Sequence, residues 1–134
     1  MTTTTRRWPL WASTGVLAVT AAIHIFAGTP DYLAAVDRSG LTGEAHGLAI
    51  ALWHLTSVLL VLLPAALAWA GRNNSPAGRP LVAAVWVICL AFVVIMLGID
   101  LAAGAVISPL VQWTLFVPGL VLLPFVRLGR PLAE

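Results

Sequence analysis

Five polar side chains stand where an otherwise apolar chain could do chemistry: His24, His46, His54, Asp100 and Gln112. Two imidazoles and a carboxylate make a serviceable ligand set for Zn or another divalent ion, so His24, His46 and Asp100 are the candidate metal residues. His54, with Trp53 beside it and Gln112 on a later segment, is the candidate set for a cofactor or small ligand. His24 and His54 could in principle ligate haem between helices, although their depths would differ by roughly 9 Å. A buried Asp–His pair could relay protons. No spacing here specifies a metal by itself. Each residue also has a plainer reading: a histidine in a helix is more often a hydrogen-bonded packing group, and Asp100 could sit wet at a headgroup boundary.

Elements that hold such residues must be apolar. The chain has 134 residues, of which 60% are hydrophobic and 9% charged. A soluble domain carries about 25% charged residues, so the composition points to the bilayer as solvent. The net charge of +2 comes from seven arginines beside five acids. No basic run exceeds two residues, which argues against a nucleic-acid partner and for contact with lipid headgroups. Cys89 is the single cysteine, so an internal disulfide and a thiolate metal cluster are both excluded.

A helix needs about 20 apolar residues to cross a bilayer. Four runs reach that length: residues 8–28, 45–70, 80–103 and 106–126. Residues 71–79 are rich in Gly, Asn and Pro and predict an inner loop. Residues 29–44 predict an outer loop, within which residues 31–37 could form a short amphipathic helix on the membrane surface. The fold class expected is an all-α, integral membrane four-helix bundle in a single domain, antiparallel and up-down-up-down. Arg6, Arg7, Arg72, Arg79, Arg127 and Arg130 flank the inner ends, and only Arg38 flanks an outer one. Positive-inside counting therefore puts both termini in the cytoplasm. The all-arginine basic set, with abundant Ala, Val and Leu, fits a GC-rich bacterial genome and so a bacterial cytoplasmic (inner) membrane.

The N-terminus has a second reading as a signal peptide, cleaved near Val19-Thr-Ala21. The apolar run continues to Gly28, which suits a span better. Arg6-Arg7 evokes a twin-arginine export signal without the rest of that motif. Trp8, Trp11 and Trp69 fit an inner aromatic belt. Pro64, Pro118 and Pro124 could kink their helices, and Gly98-x-x-x-Ala102 permits close helix contact.

Within these spans, helix rise places His24, His46 and Asp100 at similar depth near the outer ends. Gln112 is somewhat deeper, and His54 lies ~12 Å below His46. At about 100° per residue, Ser13, Thr20 and His24 share one face; His46, Trp53 and Ser57 share another; Cys89, Met96 and Asp100 share a third. Lipid cannot solvate such stripes, so they should turn inward. The expected result is an outward-opening polar pocket of His24, His46, His54, Asp100 and Gln112 that binds a metal ion, cofactor or small ligand.

Two other function classes fit the same chain. One is a non-catalytic scaffold or subunit of a larger membrane complex. The other is a small proton-coupled carrier, which at this size would have to act as a homo-oligomer. Whether any reaction is catalysed does not follow from the residues. The small multidrug transporters carry a carboxylate in their first span, where this chain has His24. Quinone-linked thiol oxidoreductases need paired cysteines. Membrane glutathione-handling enzymes use basic residues within their spans. The chain departs from all three patterns.

Overall fold

The structure is a computed structural model that describes residues 7–104 and 111–128. The possible cleavage site falls within the described residues. Arg6, Arg130, and the expected start of the fourth run at Val106 lie outside them. The described residues form an all-helical structure without strands. Three helices are long and apolar enough to cross a membrane: α1 (Trp8–Arg38), α2 (Gly43–Asn73) and α3 (Gly78–Ala102). A shorter apolar helix, α4 (Gln112–Phe125), follows. These helices suggest a multi-pass membrane protein.

Most of the spans' surface points outward and is apolar. In the three apolar windows no more than 28% of residues are buried. Leu55, Val58, Val94 and Ile95 are all more than half exposed. Such surface is normal where lipid is the solvent and unusual on a soluble monomer. Several hydroxyls in these helices are satisfied by their own backbone, as a bilayer would favour. The hydroxyls of Thr14, Thr20, Thr56 and Ser57 each donate to a carbonyl one turn back.

Each helix packs on its neighbour in sequence, and α4 closes the ring against α1. The core lies toward the end that carries Arg7, Arg72, Arg79 and Arg127. There Leu10 and Leu17 of α1 meet Leu63 and Leu67 of α2, Val85 and Cys89 of α3, and Leu123 of α4. Gly71 and Gly78 permit the closest approaches at this end. A Cβ on Gly71 would come 2.6 Å from Leu10, and one on Gly78 would come 2.8 Å from Leu128. The Arg79 guanidinium donates to the Leu128 carbonyl, and the Trp86 indole donates to the Leu120 carbonyl. These bonds fasten α3 to the end of the chain.

Three boundaries depart from the sequence expectation. First, α1 does not stop at Gly28. It continues to Arg38, through Ile23–Gly28 in π-helical form and Thr29–Arg38 in α-helical form. The expected outer loop shrinks to residues 39–42. Pro30 explains the π segment: its ring lacks an N–H and clashes with the carbonyl four residues back in an α-helix. The wider π turn moves that carbonyl aside, so the helix passes the proline without breaking. Second, α2 runs to Asn73 and ends at Asn74, whose φ of 45° is left-handed and whose N–H returns to the Ala70 carbonyl. The inner loop is therefore shorter than 71–79. Third, α4 alternates 3-10 and α geometry: Val111–Phe116 is 3-10, Val117–Leu122 is α, and Leu123–Phe125 is 3-10. Pro118 and Pro124 each remove a backbone donor from an apolar segment too short to absorb the loss.

Candidate functional site

At the end opposite the arginines, the four helices part around a cavity of about 440 Å³. Ligand sites of small molecules typically span roughly 300–1,000 Å³. The floor is apolar. Phe92 of α3 and Phe116 of α4 stack there with ring centroids 4.7 Å apart and planes only 2° from parallel. Leu60 and Met96 complete it. The polar groups in the lining are Thr20, His24 and Asp31 of α1, Thr56 of α2 and Gln112 of α4.

One wall is fixed by Trp53. Its ring centroid lies 3.9 Å from that of His24 and 4.1 Å from that of Tyr32, with interplanar angles of 22° and 10°. Two rings this close to one centroid, both nearly parallel to it, cannot share a face without overlapping. Trp53 is therefore inserted between His24 and Tyr32. Aromatic pairs of this kind contribute about 0.5–1.5 kcal/mol each beyond their buried area. The notch that admits the indole is Gly28, where a Cβ would lie 3.1 Å from the six-membered ring of Trp53. The Thr29 hydroxyl accepts from the indole N–H at 3.0 Å and donates to the His24 carbonyl at 3.4 Å. The Tyr32 hydroxyl donates to the Ala49 carbonyl at 3.2 Å. The π segment thus has a job: it presents His24, Gly28 and Tyr32 along one side of α1 to receive a single side chain of α2.

The sequence-predicted residues fall in four places. His24, Trp53 and Gln112 come together at the cavity. His24 has its Nε2 buried and without a hydrogen-bond partner among the described residues. His46 lies further along α2, where its Nε2 meets the Asp37 carboxylate at 3.1 Å. This pair ties the two ends of the short connection together at the surface. Asp100 is fully buried in the bundle and does not border the cavity. His54 faces outward. The inward stripe of α2 runs from half-buried Trp53 through buried Leu60, Leu63 and Leu67, and His54 lies one residue off it, among exposed Ala51, Leu55 and Val58.

Among the described residues no three His, Cys, Asp or Glu side chains gather closely enough to hold a metal ion. His24, His46 and Asp100 are not brought to one point. His24 and His54 do not face each other, since one borders the cavity and the other the outer surface. No family model matches the chain, and neither does any curated protein or solved structure. The reading of the site therefore rests on its geometry.

Gly28 and Thr29 belong to the site and were not singled out from the sequence, and Asp31 and Tyr32 were expected only in a short surface helix over residues 31–37. A signal was present: His24, Gly28 and Tyr32 are four residues apart, a helical spacing. It is visible only if the helix is carried through Pro30.

Proposed function

We propose that this chain is a multi-pass protein of the bacterial cytoplasmic membrane whose four-helix bundle binds a small organic molecule in its cavity. In this reading the helices alternate up and down, both termini lie in the cytoplasm, and the cavity opens toward the outside. The arginine distribution supports the orientation: Arg7, Arg72, Arg79 and Arg127 flank the core end, and Arg38 alone flanks the cavity end. Contact of Gly71 with the start of α1 and of Gly78 with Leu128 supports the alternation.

One observation carries the functional reading. All four helices contribute to a 440 Å³ space beyond the core of Leu17, Leu67 and Cys89, with the stacked His24–Trp53 pair in its wall, whereas another space, about 430 Å³ beside Arg79 and Trp86 at the arginine end, is bounded only by α3, the end of α4 and the residues that follow it. An apolar cavity with a few convergent polar groups is the usual form of a ligand site. The residues fit a small organic ligand better than a metal ion, because the polar atoms are spread over three helices and are mostly neutral.

The test is photolabelling in lipid nanodiscs with a trifluoromethyl-diazirinyl benzyl alcohol. Label is expected on Ala27, Met96 and Leu115, which border the cavity. It should saturate, fall with excess unlabelled benzyl alcohol, and disappear in Met96→Trp, whose bulkier side chain fills the space. Non-saturable label spread over outward-facing Phe26, Leu55 and Ile95 would count against the reading.

A further inference from the structure

The geometry points to an amphipathic amine as the class of ligand: an apolar or aromatic body with a protonated nitrogen at one end. This inference rests on the cavity reading above and adds the chemistry of the head group. Its basis is the balance of donors and acceptors around the cavity. Thr20 and Thr56 both border it, and both spend their hydroxyl protons on their own helices, on the carbonyls of Val16 and Leu52. What these oxygens can offer a ligand is a lone pair. Asp31 adds a carboxylate at the mouth, an acceptor when ionised. No arginine borders the cavity, and the chain has no lysine.

Two groups can act either way. Gln112 carries both a carbonyl and an amide NH2, and the His24 Nε2 is a donor or an acceptor according to its tautomer. The fixed part of the lining therefore asks for donors and for positive charge. An ammonium group brings three N–H donors and the charge that a carboxylate favours. The floor of Leu60, Phe92, Met96 and Phe116 asks for the opposite, a body without polar atoms. The carboxylate and the apolar floor lie at different levels of one cavity. Asp31, far along α1, is at the open end, and Phe92 and Phe116 are at the closed end. A ligand that meets both has its nitrogen outward and its hydrocarbon inward.

A series that holds the body constant and changes only the head separates this inference from the reading beneath it. Phenylbutylamine, phenylbutanol and phenylbutyrate carry positive, neutral and negative heads at neutral pH. Binding to the full chain is measured by titration calorimetry in phosphatidylcholine nanodiscs. Empty nanodiscs and Met96→Trp serve as blanks, so that partition into lipid is subtracted. The amine is expected to bind about fivefold tighter than the alcohol, the size of a partly exposed charge interaction, and the acid is expected to bind most weakly. Asp31→Asn, at an exposed position, should bring the amine down to the alcohol's affinity and leave the alcohol unchanged. Saturable binding of the alcohol with no advantage for the amine, or an advantage that survives Asp31→Asn, would overturn the amine inference and leave the cavity reading standing. Failure of all three compounds to bind above the blanks would overturn both.

Discussion

Trp53 shows at the scale of a single residue how this chain turns a patterned helix into a site. Its indole is held on both faces, by His24 and Tyr32, and at its N–H by Thr29. The account therefore predicts a graded response to substitution. Trp53→Ala removes two stacked pairs and a hydrogen bond, and should lower stability by about 3 kcal/mol. Trp53→Phe keeps an aromatic ring in the notch and loses the bond to Thr29, so it should cost about 1 kcal/mol. Thermal unfolding in nanodiscs reads both; equal losses for the two variants would remove the clasp from the account. The site was partly legible at this scale. His24, Trp53 and Gln112 were readable as polar or amphipathic residues inside apolar runs, where such residues are expected to turn inward. The same logic placed His54 in the pocket, and the structure turns it outward. One residue on a helix is about 100° of rotation, and Trp53 occupies the inward position beside it.

At the scale of the element, α1 is decisive. Hydropathy delimits its first two-thirds well, because the apolar run from Trp8 to Gly28 has the length and composition of a membrane span. The remainder was expected as a loop because the apolar run stops and Asp31, Asp37 and Arg38 bring charge; Pro30, too, stands where a proline normally ends or kinks a helix at the residue before it. The π segment is the physical reason that rule does not hold here, and nothing in local composition announces it. Gly28 within that segment is tight, and Gly15 on the same helix is open, with nothing within 4 Å of an added Cβ. Gly28→Ala should therefore destabilise the fold by about 1 kcal/mol, because Trp53 is pinned on both faces and cannot yield. Gly15→Ala should be neutral or stabilising by up to ~1 kcal/mol, from helix propensity alone. The comparison is made by thermal unfolding of the two variants side by side; equal stability would mean that the Trp53 ring moves freely. The ends of α2 and α3 were read to within a few residues. Asn74 rather than Gly71 stops α2, since Gly71 is used for contact with Leu10 and Trp11 and keeps its helical backbone. The fourth run was expected as one span, and its described part is a shorter helix broken into 3-10 and α turns at its prolines.

At the scale of the whole molecule, composition alone specifies helices with apolar exteriors, and the structure has them. How the four helices close into a ring, and where the ring is filled or hollow, depends on contacts such as Gly71–Leu10 and Phe92–Phe116 that no single-helix pattern encodes. In the proposed arrangement this ring spans a membrane with its arginine end inside and its cavity end outside. Accessibility of single cysteines in intact cells tests that claim most directly. Ser39→Cys sits at the cavity end and Asn73→Cys at the arginine end, both at exposed positions, and the native Cys89 is buried and should stay silent. With a membrane-impermeant maleimide, the account predicts labelling of Cys at 39 in intact cells and of Cys at 73 only after the cells are opened. Labelling of position 73 but not 39 in intact cells would reverse the orientation, and equal labelling of both only in the soluble fraction would contradict the membrane bundle itself.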